Sequence, residues 1–131
     1  WDEDIKRVQE DCQQLNLHNV QLAGHILQSE LASYLYAADV LIVPTSKHWH
    51  LAETTSPLKL FEYMSVKRPI VASALPTIMT VLRERENALL AEPDDPLSFK
   101  EAVISLLENS VLANQLTERA FEDVQNCTWN K

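Results

Sequence analysis

The sequence predicts an α/β fold in which a parallel β-sheet carries helices on both faces. Two observations predict it: helical and strand patterns alternate along the chain, and the strand segments are short and apolar. Alternation is typical of parallel sheets, because each connection between parallel strands needs a crossover. At 131 residues the chain is long enough for one domain with a sizeable core.

The predicted elements follow from hydrophobic period and from turn residues. In order, they are a helix over residues 1–16, a strand at 20–23, a helix at 29–38, a strand at 40–43, a helix at 56–66, a strand at 69–72, a helix at 75–82, a strand at 88–91 and helices at 97–108 and 111–124. The run at 40–43 is apolar throughout and precedes Pro44, which predicts a strand buried on both faces.

Capping residues mark the starts of several predicted helices. Ser29, Ser56 and Asp95 stand before helical patterns, where a side-chain oxygen can accept hydrogen bonds from free backbone N–H groups. Pro57 and Pro96 take the first helical position after two of them, where a missing N–H costs nothing. Asp95 is therefore predicted to follow a turn and to cap the helix that begins at Pro96.

Composition excludes several kinds of site and partner. The chain has one glycine, Gly24, where average usage of about 7% would give roughly nine. A GxGxxG loop and a Walker A loop are thus excluded. The net charge of −8 repels phosphate backbones and anionic lipid, so nucleic acid and membranes are not expected partners. No apolar run approaches the ~20 residues of a membrane span.

The cysteines and histidines predict neither a disulfide framework nor a metal site. Cys12 and Cys127 lie near opposite ends of the sequence without paired spacing, which favours a reducing, cytoplasmic compartment. Trp1 opens an acidic segment where a secretory signal would be basic. His48 and His50 have no evident third ligand, so we expect no metal.

A candidate anion site follows the second predicted strand. Ligands of open parallel sheets bind beyond the carboxyl ends of the strands. The longest such segment, 45–56, leads into a helix N-terminus at Ser56, whose free N–H groups suit a phosphate. Lys59 opposes the helix dipole unless an anion shares the site, and Glu62 could bind vicinal hydroxyls, as on a ribose. A simpler interpretation stays open, in which Ser56 only caps and Lys59 pairs with Glu62.

Two blocks of the sequence stand out, SPLKLFEYM at 56–64 and RPIVAS at 68–73. They resemble the signature of the GT-B glycosyltransferases of family 4, in their C-terminal, donor-binding Rossmann-like domain. Further matches follow the family order, with AADV at 37–40, ENALL at 86–90, PDDP at 93–96 and TW at 128–129. Since they span nearly the whole chain, residues 1–131 are predicted to form one partial nucleotide-sugar-binding domain.

The resemblance implies retaining transfer of a sugar from a nucleotide-diphosphate donor, with no cofactor and no obligatory metal. Lys59 would offset the diphosphate charge, which is a catalytic contribution. Leu58 would contact the nucleoside, and Glu62 would bind the ribose as the second glutamate of an E-x7-E motif. The expected donor-binding residues are Thr55, Ser56, Pro57, Leu58, Lys59 and Glu62, with Gly24 and His25 bordering the cleft.

The sequence departs from the family at several positions. The first glutamate of the motif is replaced by Thr54, and Glu53 stands one place away as the catalytic alternative if the loop shifts. Lys67 and Arg85 stand at two turn positions where the family has glycine. A left-handed backbone at Lys67 would cost roughly 1 kcal/mol. Because of these departures, the alternative that the chain is a degenerate, non-catalytic binding domain stays open. A flavodoxin-like module ranks last, because the acidic cluster of a receiver domain is missing.

The resemblance also places an acceptor-binding domain and two strands outside this chain. The first strand of such a fold is central, so segments 20–23 and 40–43 would not be neighbours. We therefore expect the isolated chain to be inactive and to expose apolar edges that favour self-association.

Overall fold

The computed structural model describes residues 2–48 and 58–127, which form an α/β fold with a parallel sheet. The elements are α1 (Asp2–Gln14), α2 (Gln28–Ala37), β1 (Leu41–Val43), α3 (Leu58–Ser65), β2 (Ile70–Ser73), α4 (Pro76–Met79), β3 (Leu89–Ala91), α5 (Pro96–Glu108) and α6 (Ser110–Gln125). The chain divides into two units, Trp1–Leu31 and Ala32–Lys131, and the second contains the whole sheet.

The first unit contains α1 and an extended segment. The helix ends where Asn16 adopts a left-handed conformation (φ 53°), a conformation that asparagine tolerates at helix ends. The predicted strand at 20–23 is wrong: these residues are irregular, and Val20 and Leu22 are 45% and 41% exposed. A short apolar segment becomes a strand only when a neighbour takes its backbone hydrogen bonds, and no described strand pairs with this one.

The three strands of the second unit run parallel in the order β1-β2-β3. All four residues of β2 are buried, so this central strand is covered on both faces, as its apolar sequence predicts. In β1 the prediction is only half correct. Leu41 and Val43 are buried, but Ile42 is 44% exposed. Strand β1 pairs only with β2 among the described strands, and its two faces differ in burial.

Helices α5 and α6 cover one face of the sheet. Leu106 of α5 and Leu116 of α6 pack with Val71, Leu89 and Ala91 in one buried cluster. Burial of this apolar surface is the main force that holds the two helices to the sheet. The Asp95 cap is confirmed, since its carboxylate accepts hydrogen bonds from the Leu97 and Ser98 N–H groups at 2.9 and 3.3 Å.

The start of α2 and the end of α4 differ from the prediction. Helix α2 begins at Gln28, because the Leu27 carbonyl already accepts bonds from Glu30 and Leu31, so Ser29 lies inside the helix and is not its cap. Helix α4 ends at Met79 and not at residue 82.

The side chain of Asn87 explains the early end of α4. Its Oδ1 accepts from the Arg83 N–H at 2.7 Å, and its Nδ2 donates to the Val81 carbonyl at 3.2 Å. A longer helix would need both backbone groups for its own ladder. None of the helices within the described ranges is long and apolar enough to cross a membrane.

Candidate functional site

The segments that follow the three strands meet at the carboxyl end of the sheet, because the strands are parallel. Residues 44–48 follow β1, Ala74 follows β2, and residues 92–95 follow β3. The Ala74 N–H donates to the Ala91 carbonyl at 2.8 Å, which joins the residue after β2 to the last residue of β3. Helix α3 is the next described element after residues 44–48.

Helix α3 has a buried side and an exposed side. Leu60 and Met64 are 0% and 2% exposed and anchor the helix, which packs against α6. Lys59 and Glu62 are exposed, and Leu58 is 71% exposed. Leu58 therefore does not belong to the buried side of the helix. Positions 58, 59 and 62 are spaced so that these three side chains share the exposed side of the helix.

Lys59 and Glu62 lie one turn apart on α3 and carry opposite charges. Among the ion pairs of residues 2–48 and 58–127, none joins these two side chains. The simpler interpretation, in which Lys59 pairs with Glu62, is not what the structure shows. Burial raises the pKa of Tyr63, and the negative charge of nearby Glu62 raises it further.

The other expected site residues lie outside the described residues or in the first unit. Glu53, Thr55, Ser56 and Pro57 lie outside the described residues, so their roles stay predictions. Gly24 and His25 belong to the first unit. Gly24 has φ 68°, a left-handed conformation that suits glycine, although the strand expected before it is absent.

Asp94 joins two of the segments at the carboxyl end. Its carboxylate accepts a hydrogen bond from the Lys47 N–H at 3.1 Å, across 47 positions of sequence. The Ser46 hydroxyl also donates to Asp94, while Ser46 Oγ accepts from the His48 N–H at 3.1 Å. The hydrogen bond from Ser46 holds the pKa of Asp94 below its ordinary value, although desolvation opposes it. The Lys47 N–H and the charges of His48 and Lys47 also lower this pKa.

The turn that carries Asp94 is itself fixed by hydrogen bonds. Asp95 caps α5, and Ser98 Oγ accepts from the Glu92 N–H at 2.9 Å. Asp94 has φ 61°, a left-handed conformation that aspartate tolerates better than most residues. The structure thus confirms the predicted turn and cap, and it adds a contact from Asp94 to the segment after β1.

The amino end of the sheet holds a different set of charges. Asp123 of α6 accepts hydrogen bonds from Asn87 at 2.9 Å, Arg83 at 2.7 Å and Arg119 at 3.1 Å. Burial opposes ionisation of Asp123, but the Asn87 hydrogen bond and the two arginine charges outweigh it and lower its pKa. Asn87 is 1% exposed, so this network fastens α6 to the segment before β3.

Lys67 and Arg85 both keep the left-handed conformation of the glycines they replace. Their φ angles are 51° and 57°. The Lys67 ammonium lies 2.9 Å from Glu118 and 4.4 Å from the centre of the Phe121 ring. These contacts to α6 offset part of the left-handed strain. For exposed Arg85, the described residues provide no comparable side-chain contact.

Sequence reasoning missed the contacts of two residues. Asn87 lies in the ENALL match, but neither its burial nor its bond to Asp123 has a sequence signal. Asp94 follows a turn pattern that accounts for its conformation but not for its partner Lys47. Within the described ranges, no group of three His, Cys, Asp or Glu side chains is arranged to hold a metal ion.

The sequence is similar to a known protein family and to a relative of known name. The family model described as "Glycosyl transferases group 1" matches residues 2–109. A glycosyltransferase of Methanocaldococcus jannaschii is 25% identical over 126 residues, which cover 96% of this chain and 34% of that protein.

Two solved structures illustrate the same fold. Sucrose-phosphate synthase from Thermosynechococcus elongatus has a TM-score of 0.78 and 27% identity, over 95% of this chain and 30% of that one. Anabaena HepE in complex with UDP-glucose has a TM-score of 0.76 and 16% identity, over 93% of this chain and 32% of that one. The chain thus spans about a third of the length of each of these proteins.

Proposed function

The chain belongs to the group 1 glycosyl transferases, and from this premise we propose that it binds the nucleotide-diphosphate sugar donor of a retaining glycosyltransferase. The observation that carries the proposal is the exposed side of α3. Leu58, Lys59 and Glu62 are exposed together at the start of a helix that follows the carboxyl end of β1. Open parallel sheets bind their ligands at this end.

Each of the three residues has a distinct chemical role in the proposal. The Lys59 ammonium offsets the charge of the diphosphate, which grows on the leaving group as the sugar departs. The Glu62 carboxylate accepts hydrogen bonds from two ribose hydroxyls. Leu58 supplies an apolar contact for the nucleoside. A cation in the first turn of α3 opposes the helix dipole, and a bound diphosphate would compensate for that opposition.

Residues outside the described ranges complete the proposal. Thr55, Ser56 and Pro57 would contact the diphosphate, and Glu53 would reach a donor hydroxyl as the catalytic carboxylate. No metal and no cofactor takes part. The acceptor would be bound by another part of the enzyme.

Calorimetric titration of the 131-residue chain with UDP, GDP and ADP tests the proposal. UDP heads the panel because the HepE structure contains it as part of UDP-glucose. We expect one of the three to bind, and Glu62→Ala to weaken that binding at least tenfold, because the ribose loses a charge-assisted acceptor.

Glu122→Ala is the matched control. Glu122 is an exposed glutamate in α6, next to the Asp123 network at the amino end, and its replacement removes the same charge. The Glu122→Ala variant should bind the nucleotide with the affinity of the wild type. If no nucleotide binds, or if both variants lose affinity equally, the assignment of the donor site to α3 is wrong.

The non-catalytic alternative receives little support from the observed backbone. Two of the departures that suggest it, Lys67 and Arg85, retain the left-handed turns. These substitutions thus leave the local fold in place. A sugar-transfer assay on the enzyme that contains this chain separates the two functions, because a degenerate domain binds the nucleotide without turnover.

Two further properties are proposed for the chain itself. Its cysteines are both free, which suits a reducing cytoplasm, and localisation of a tagged protein tests this. The exposed Ile42 of β1 would favour self-association. Sedimentation of wild type and Ile42→Thr should then show less association in the variant.

A further inference from the structure

We propose that Asp94 is a positioning residue for the donor site, acting through Ser46 and Lys47 to fix the segment that follows β1. This inference rests on the proposed function, because it concerns the same end of the sheet. It assigns no contact between Asp94 and the donor. The residue is separated from its partners by a long stretch of sequence, so the contact is a product of the fold.

The contact is specific in its geometry. One carboxylate receives the Lys47 N–H at 3.1 Å together with the hydroxyl of Ser46. The same hydroxyl oxygen accepts from the His48 N–H at 3.1 Å. Residues 46–48 are therefore tied to one side chain by a connected set of hydrogen bonds.

The turn that carries Asp94 is held in place by its neighbours in the sequence. Asp94 lies between Pro93, which is buried, and Asp95, which caps α5. The Glu92 N–H is also bonded, to Ser98 of the first turn of α5. Because α5 packs against β2 and β3, the position of the Asp94 carboxylate is set by the core of the second unit.

Fixing residues 46–48 has a direct consequence for ligand binding. A loop that is already ordered loses less conformational freedom when a ligand binds beside it. The segment also carries Lys47 and His48 at the carboxyl end, where the proposed donor brings two phosphates. Without Asp94, part of the binding free energy would be spent on ordering this segment.

The experiment compares Asp94→Ala, Asp94→Asn and the control Asp95→Asn in the 131-residue chain. Asparagine at position 95 removes the same charge from the same turn but still caps a helix. Nucleoside diphosphate affinity is measured by calorimetry, global stability by urea unfolding, and the local contact by the amide resonance of Lys47.

We expect Asp94→Ala to shift the Lys47 amide resonance and to weaken nucleotide binding about fivefold, with an unchanged urea midpoint. Asp94→Asn keeps one acceptor oxygen and should lose less affinity. Asp95→Asn should match the wild type in affinity and in the Lys47 resonance.

Two results would overturn the positioning role while the proposed function stands. One is wild-type affinity in Asp94→Ala despite a shifted Lys47 resonance, and the other is a Lys47 resonance that does not respond to the substitution. Absence of nucleotide binding by the wild type would instead overturn the proposed function, and the positioning role with it.

Discussion

The charged side chains at the amino end of the sheet are bonded to one another, whereas those on the exposed side of α3 face solvent. Asp123 contacts Asn87 and two arginines within 3.1 Å, but Lys59 and Glu62, one turn apart, form no ion pair with each other.

The difference indicates what each end of the sheet does. The hydrogen bonds among Asp123, Asn87 and Arg83 at the amino end contribute to stability, because they hold the segment before β3 against α6. The exposed side of α3 is where we propose that the donor binds. The comparison predicts that substitutions at the amino end change unfolding without changing affinity, and that substitutions at α3 do the reverse.

The largest expected effect is that of Asn87→Ala. This residue is 1% exposed, and its side chain forms hydrogen bonds with Arg83, Val81 and Asp123. Its loss leaves buried polar groups unpaired, at about 2–4 kcal/mol of the free energy of unfolding. Urea unfolding measures the loss.

Asn109→Ala is the matched control for that substitution. Asn109 is exposed and only caps α6, accepting from the Leu112 N–H at 3.0 Å, so we expect a loss of about 1 kcal/mol. Equal losses in the two variants would mean that the network at the amino end has no special weight.

A smaller effect is expected for Asp123→Asn, and it depends on pH. The pKa of Asp123 is lower in the folded state than its ordinary value of about 3.9. Its charge therefore stabilises the fold fully above that value, and this contribution is lost as pH falls through the folded-state pKa. We expect a loss of about 1–2 kcal/mol at neutral pH, since its arginine partners are partly exposed.

Unfolding of wild type and Asp123→Asn across the acid range measures this dependence. The two proteins should differ at neutral pH and converge in acid. Glu122→Gln, which removes a neighbouring charge outside the network, should differ little from the wild type at any pH. A constant difference between wild type and Asp123→Asn down to low pH would contradict the assigned role of the charge.

The smallest effects concern the two left-handed residues that take the place of glycines. Arg85→Gly should raise the free energy of unfolding by about 0.5–1 kcal/mol, because it relieves strain and loses no described contact. Lys67→Gly relieves the same strain but removes the contacts to Glu118 and Phe121, so its net effect should be near zero. Thermal unfolding compares the two variants, and an equal gain in both would mean that the Lys67 contacts contribute nothing.

Local signals in the sequence were enough to predict most of the second unit. The apolar runs predict all three observed strands, and Asp95 with Pro96 predicts the start of α5, because these effects depend on neighbouring residues alone. The segment at 20–23 has a similar apolar run but no described partner strand, and a sequence pattern cannot report a missing partner.

The candidate site was predictable only in part for the same reason. The exposed pair on α3 follows from helical spacing and a motif. The contact between Asp94 and Lys47 and the burial of Asn87 depend on residues far apart in the chain. Long-range contacts of this kind arise from the packing of the sheet and helices, so they become visible only in the folded structure.

The most direct test of the account is to map nucleotide binding on the amide resonances of the ¹⁵N-labelled chain, using the nucleoside diphosphate that calorimetry selects. We expect the largest shifts at Lys59, Glu62 and Lys47, and none at Arg83, Asn87 or Asp123. Shifts that cluster at the amino end, or a bound nucleotide that leaves α3 unperturbed, would contradict the assignment of the donor site to the carboxyl end of the sheet.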